Sequence, residues 1–355
     1  MRLAVRDDLA ALVGYHSPQV VVDVRLNTNE SPYPPPPAWR DAFVEELATV
    51  AFNRYPDRSA RALREAIAAA HGVRPDQVLA AKGSNEVLQA LCLAYGGPGR
   101  SAAVFEPTYA LHSHIARLTG TDVLVGERTE DFALDQEEVA RVAESGPAIT
   151  FLCSPNNPTG GVDDRAAVER VLAQSAGLVV VDEAYGQFAP WSALEMVADG
   201  RPLVVTRTYS KTWSMAAVRL GYLVAPADVV AAVESVLLPY HLDAATQIAG
   251  RLALRFEAEM SARVAAIVAE RERLVAALGA LDVDLWPSAA NFVLFRPRGR
   301  SGHAVWSALV ERSVLVRDFS GWPRLEGCLR VTVGTPEEDE AFLSALRSVL
   351  KGGSA

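Results

Sequence analysis

Four short segments of this chain combine residue types that can do chemistry together. They are GSNE (83–86), SPNNPTGG (154–161), DEAY (182–185) and TYSK followed after seven residues by Arg219 (208–219). Lys211 supplies a primary amine, a nucleophile toward carbonyl carbons and a carrier of protons. Asp182 supplies a carboxylate able to hold a cation. Ser84 and Asn85 open a helix, where free N–H groups and the helix dipole attract an anion. Asn157, Tyr185, Thr208 and Ser210 add neutral donors and acceptors, and Arg219 adds a fixed positive charge. Taken singly, each has an ordinary reading: a solvated surface lysine, or a strand-end aspartate acting as a cap. Together they follow apolar strands, and in open α/β sheets ligands gather at the carboxyl ends of strands.

The elements that must hold these residues are legible from periodicity. Strands are expected at 78–81, 102–106, 148–153, 177–182, 203–208 and 220–225. Several are unbroken apolar runs rather than alternating ones, the pattern of strands covered on both faces by helices. Helices are expected at 59–72, with Ser59 as N-cap and Gly72 as stop, and at 86–95. A long helical stretch follows at about 243–281, then strands at 291–295, 313–317 and 329–333 and a last helix at 337–350. The run SPYPPPP (31–37) reads as an extended connector, because five prolines exclude helix and central strand. The fold class is therefore α/β: a mostly parallel sheet covered by helices, with a smaller α+β C-terminal domain and an N-terminal arm. The expected divisions are an arm at 1–40 packing with the small domain, a large domain at 41–242 and a small domain at 243–355.

Composition narrows the function classes. Of 355 residues half are apolar and 22% are charged, which excludes disorder and a disulfide-stapled mini-protein. The net charge of −9 makes nucleic acid a poor partner. Cys92, Cys153 and Cys328 are widely spaced, suggesting buried thiols in a cytoplasmic protein and no metal site. No segment has the length of apolar sequence that spans a membrane, and the first residues do not read as a signal peptide. Other motifs fail on context. VVVDEA (179–184) resembles a Walker B strand, but its phosphate-loop partner is missing. GPGRSA (97–102) follows a helix instead of a strand. There is no H-E-x-x-H and no G-x-S-x-G. His112 and His114, two apart, do not share a helical face and read as packing or surface residues.

NPTG (157–160), DEAY (182–185), SK (210–211) with Arg219, and RVTVGT (330–335) together resemble the fold-type I aminotransferases that use pyridoxal 5'-phosphate (PLP). The resemblance runs from NTNESPY near residue 27 to the last helix. It implies that Lys211 condenses with the PLP aldehyde and shuttles protons, and that Asp182 holds the pyridine nitrogen. It implies Asn157 and Tyr185 at the phenolic oxygen and Tyr109 on the ring face. Ser84, Asn85, Thr208, Ser210 and Arg219 would hold the phosphate.

Tyr15, NTNESPY, NRYPD (53–57), GSNE, LPYHL (238–242) and VRDF…GCLRVTVGT (316–335) narrow the resemblance to the histidinol-phosphate aminotransferases. That implies a homodimer in which Tyr55 of the partner subunit reaches the PLP phosphate. Arg330 would grip a carboxylate and Arg317 the substrate phosphate, with Tyr15, Asn85, Tyr109, Asn157 and Tyr240 lining the pocket. The substrates implied are histidinol phosphate, glutamate and 2-oxoglutarate. Two departures touch the cofactor region: TWSMAAV (212–218) is bulkier than a glycine-containing run, and Asn85 stands where many relatives carry Asp. An aromatic or broad-range aminotransferase, a PLP-dependent decarboxylase or lyase, and a non-catalytic sensor of the same fold are the alternatives.

Overall fold

A computed structural model describes residues 3, 5–10, 12, 14 and 20–351. The strands in chain order are β1 (Val24–Leu26), β2 (Val78–Ala81), β3 (Ser101–Glu106), β4 (Asp122–Glu127), β5 (Ile149–Cys153), β6 (Leu178–Asp182), β7 (Leu203–Thr208), β8 (Gly221–Val224), β9 (Val283–Leu285), β10 (Phe292–Pro297), β11 (Val314–Asp318) and β12 (Leu329–Thr332). They form two sheets, ordered β2-β8-β7-β6-β5-β3-β4 and β1-β11-β12-β10-β9.

In the larger sheet β3 to β7 pair in parallel, and β5, β6 and β7 are buried along their whole length. Helices cover both faces, as the unbroken apolar runs require. β8 runs antiparallel to both β2 and β7. Its first residues therefore lie at the edge where β2 and β7 finish. This reversal brings Arg219 to the same edge as Ser84 and Lys211.

The smaller sheet takes its first strand from the other end of the sequence. β1 pairs in parallel with β11, Val24 opposite Val314. Its core joins Leu26 to Phe292, Phe295, Leu329 and Phe342. The helix Ala244–Ala253 packs with the large-sheet helices around Trp39, Leu63 and Ile67. The following helix, Glu257–Gly279, starts in that cluster at Met260 and ends in the small-sheet core at Leu274 and Leu278. This one helix therefore contributes to both hydrophobic clusters.

Local differences from the sequence reading have plain causes. The proline run is non-helical only to its last residue: Pro37 opens the helix Pro37–Leu47, where its missing N–H goes unused. The helix Arg61–His71 is not capped by Ser59. Asp57 accepts from the N–H groups of Ser59 and Arg61 at 3.0 and 2.8 Å, while Gly72 stops the helix at φ +65° as expected. The stretch 243–281 breaks at a short 3₁₀ turn, Leu254–Phe256.

One buried ion pair anchors the loop after β5. Arg128 donates to both carboxylate oxygens of Asp163 at 2.7 and 3.0 Å and to the carbonyl oxygens of Phe105 and Phe132. Asp163 is itself only 5% exposed. Replacing Arg128 with Met strands that carboxylate, and a loss of about 3–5 kcal/mol is expected. The drop in urea midpoint of Arg128→Met relative to wild type measures it, and the double variant Arg128→Met/Asp163→Leu should recover much of the loss.

Candidate active site

The carboxyl edge of the large sheet meets the smaller sheet around a cavity of about 450 Å³. Its lining includes Ser84, Asn85, Tyr109, Asn157, Asp182, Tyr185, Thr208, Ser210, Lys211, Arg219 and Arg330. These eleven sequence-predicted residues span the chain from 84 to 330 and share one space. A larger depression, about 690 Å³, lies at the amino ends of the strands beside Ser101 and Leu178. It is more open and gathers none of these groups.

Asp182 ends β6 and is 1% exposed. Its Oδ1 accepts from the Ala184 N–H at 3.1 Å and from Thr206 Oγ1 at 3.2 Å, and its Oδ2 lies 3.0 Å from Nε2 of His112. Two carboxylate oxygens offer about four acceptor directions, so capacity remains on the cavity side. His112 is fully buried and stacks on Phe151 at 4.9 Å. Among the described residues its Nδ1 has no hydrogen-bond partner, so the proton belongs on Nε2, facing Asp182. The packing role read for His112 is thus incomplete: it braces the carboxylate. Nothing in its spacing to its neighbours announces this.

Lys211 lies beyond the end of β7. Its Nζ donates to the carbonyl oxygen of Thr28 at 3.0 Å and stands 5.8 Å from the centre of the Tyr185 ring. Burial, with Arg330 and Arg219 nearby, lowers its pKa to about 7; Glu30 opposes the shift. Much of this amine is therefore unprotonated, and nucleophilic, at neutral pH.

Ser84 starts the helix Ser84–Tyr95, whose free N–H groups face the cavity edge. Two glycines permit the crowding there. A Cβ on Gly83 (φ +81°) would fall 2.8 Å from Nη2 of Arg219, and one on Gly221 would fall 2.2 Å from the Ser84 nitrogen. Thr208 Oγ1 lies 3.0 Å from Ser210 Oγ beside them. Helix terminus, hydroxyls and guanidinium are of a chemistry that suits an anion.

Arg330 projects from β12 with its guanidinium 5.0 Å from the Phe292 ring and 5.3 Å from Phe319. It donates to Asn157 Oδ1 and, at 2.9 Å, to the carbonyl oxygen of Asn27. Arg317 sits directly opposite it in the β11–β12 pairing, 7% exposed but outside the cavity lining. Tyr55 and Tyr240 also lie outside the lining. They stack on each other at 4.4 Å on the surface, 80% and 41% exposed. Tyr15 lies outside the described residues. Asn85 Oδ1 accepts from Tyr109 at 3.3 Å, and Ala216 and Ala217 of the TWSMAAV run line the cavity. The sequence reading assigned no role to Asn27, Thr28, Asn29 or Glu30 individually, yet all four line it too.

The description aminotransferase class I and II fits residues 22–346 as a family model. The chain belongs to this family. Among curated relatives of this aminotransferase, the histidinol-phosphate aminotransferase of Frankia casuarinae is 47% identical over 367 residues, covering 99% of this chain and 91% of that one. That of Thermobifida fusca is 47% identical, covering 97% and 95%. The fold matches a solved structure of histidinol-phosphate aminotransferase from Sinorhizobium meliloti in complex with pyridoxal-5'-phosphate. The TM-score is 0.86 at 22% identity, over 93% of this chain and 91% of that one.

The Lys211 amine makes stability depend on pH in a set direction. Unfolded, it keeps its proton to its ordinary value of 10.5; folded, it releases it at about 7. Between these values the unfolded state holds more protons, so this group makes the protein more stable as pH rises, with its full penalty below pH 7. The cofactor-free Lys211→Met variant should therefore gain most over wild type in urea midpoint at pH 6. That advantage should shrink steadily by pH 9.

Proposed function

We propose that this aminotransferase uses PLP to exchange an amino group between histidinol phosphate and imidazole-acetol phosphate, with glutamate and 2-oxoglutarate as the other pair, in histidine biosynthesis. The observation that carries the reading is a near-neutral, partly buried amine, Lys211, in one cavity with the braced carboxylate of Asp182. The name borne by the relatives at 47% identity supports the substrate. The three cysteines are free and buried, which suits the cytoplasm. Among the described residues no helix is long and apolar enough to cross a membrane.

The donor set fits PLP. Asp182, with His112 behind it, would hold the pyridine nitrogen, and Asn157 and Tyr185 the phenolic oxygen. Tyr109 would cover the ring. Ser84, Asn85, Thr208, Ser210 and Arg219 would hold the phosphate, in the seat that Gly83 and Gly221 keep open. When bound, PLP supplies an aldehyde to the lysine and a ring that takes up electrons released at the substrate's α-carbon.

The chain's own residues do the rest. At neutral pH the Nζ of Lys211 can take a proton from the substrate Cα and give it back. The carbonyl of Thr28 and the ring of Tyr185 fix where that nitrogen stands. Arg330 offers a planar fork to a carboxylate in exchange for its bond to Asn157. Like charges directly opposite across a sheet destabilise it, so the Arg317–Arg330 pairing favours an anion between or beside them. A dianionic phosphate meets that demand, which is why we give both arginines to the substrate. Tyr240 and Tyr15 would border it.

A homodimer accompanies this reading. Phe52, Tyr55, Leu238 and Tyr240 are 77%, 80%, 78% and 41% exposed, an apolar surface suited to a second copy. There Tyr55 of the partner subunit would reach the phosphate.

Absorption spectroscopy tests the core. Protein incubated with PLP should gain a visible band that histidinol phosphate bleaches much faster than phenylalanine does. Equal bleaching would move the enzyme to the aromatic or broad-range class, and no band would remove PLP. Lys211→Ala should abolish turnover. Arg330→Lys keeps the charge but loses the fork, and should raise KM for glutamate by about 10- to 100-fold.

A further inference from the structure

Three consecutive residues of the segment between the sheets each hold a different functional side chain. The carbonyl of Asn27 accepts from Arg330, and that of Thr28 from Lys211. The third contact is made by a side chain: Asn29 Nδ2 donates to the hydroxyl of Tyr185 at 2.8 Å. Asn29 is 1% exposed and Tyr185 is 4% exposed, so water does not compete.

The Asn29 amide is itself held at its other end. Its Oδ1 accepts from Thr332 Oγ1 at 3.1 Å, while its backbone N–H donates to the same hydroxyl at 3.0 Å. Its carbonyl accepts from Asn291 Nδ2 at 3.2 Å. Thr332 donates its one proton to Oδ1, which leaves Nδ2 as the end that meets Tyr185. Its φ of +55° is a left-handed conformation that asparagine tolerates better than most residues.

This chain of contacts sets the polarity of Tyr185. A phenol has one proton to give. With its oxygen already accepting from an amide N–H, that proton is free to point at a second acceptor in the cavity. We propose that Asn29 is a positioning residue that fixes Tyr185 as a hydrogen-bond donor toward the phenolic oxygen of PLP and ties that donor to β12, the strand that carries Arg330. The proposal rests on the PLP reading above and adds to it a residue that acts through Tyr185. Thr332 lies two residues from Arg330 and Asn29 two from Asn27. The donor at the cofactor and the fork for the substrate therefore hang on one pair of crossing backbone segments.

The readout is the pH midpoint of the visible band of the PLP-loaded protein. A hydrogen bond donated to the phenolic oxygen draws electron density from it and weakens the hold on the nearby proton, which keeps the midpoint low. Asn29→Gly suits the positive φ, keeps both backbone contacts and removes only the amide. It should raise the midpoint by about one pH unit. Asn29→Asp offers Tyr185 an acceptor in place of a donor, turns its proton away from the cavity and should raise the midpoint further. Both should also shorten the retention of PLP on dialysis. The deciding comparison repeats Asn29→Gly in the Tyr185→Phe background, where its shift should vanish. A shift of equal size in both backgrounds, or none in either, overturns the proposal. If Asn29→Gly does not fold, Thr332→Val, which loosens the amide from its far end, is read the same way by the same comparison. A wild-type protein that shows no visible band with PLP would instead defeat the cofactor reading.

Discussion

A partly buried amine facing two guanidinium groups is the constraint around which this structure is arranged. Lys211 shares its cavity with Arg219 and Arg330, and burial adds to their repulsion. Among the described residues no ion pair at the amine cancels this. Nζ meets a neutral acceptor, the Thr28 carbonyl, and Glu30 is a more distant counterweight. The charge is therefore easily shed, which a nucleophile and proton carrier requires. Asp182 is treated in the opposite way, with three donors fixed around it.

Holding such groups together needs rigid supports on every side. The larger sheet presents strand ends, and the antiparallel course of β8 adds Arg219 to them. The Arg128–Asp163 pair steadies the loop that carries Asn157. The smaller sheet contributes Arg330, packed between Phe292 and Phe319. The segment 27–30 threads between the two sheets and makes contact with both sets of residues.

How much of this was legible in the sequence depends on the kind of signal. The unbroken runs of β5, β6 and β7 announced a covered sheet, and the polar residues that follow them announced its working edge. β1 and β9, three residues each, are too short to carry a period, and half-exposed β4 lacks the apolar run of its neighbours. The eleven lining residues were reachable because they sit in compact motifs. His112 and Asn29 were not, because each acts through a partner about 70 or more positions away, and single-chain spacing says nothing about such distances. Tyr55 and Tyr240 stand apart from the cavity; their stacked rings belong to the surface.

The pairing of β1 with β11 has a consequence for the order in which the molecule comes into being. Asp23 and Ser313, bonded beside that pairing, are 290 residues apart in sequence. Closing so long a loop is entropically unfavourable until the intervening chain is compact. Among the described strands, β1 is made first, and its neighbour β11 comes near the end of the order. Until the two pair, Asn27, Thr28 and Asn29 have no fixed place, and Lys211, Arg330 and Tyr185 lack the contacts that orient them. The contacts at these three side chains therefore wait on synthesis at least through β11 and β12, so a finished site reports that both ends of this long loop have been made and brought together.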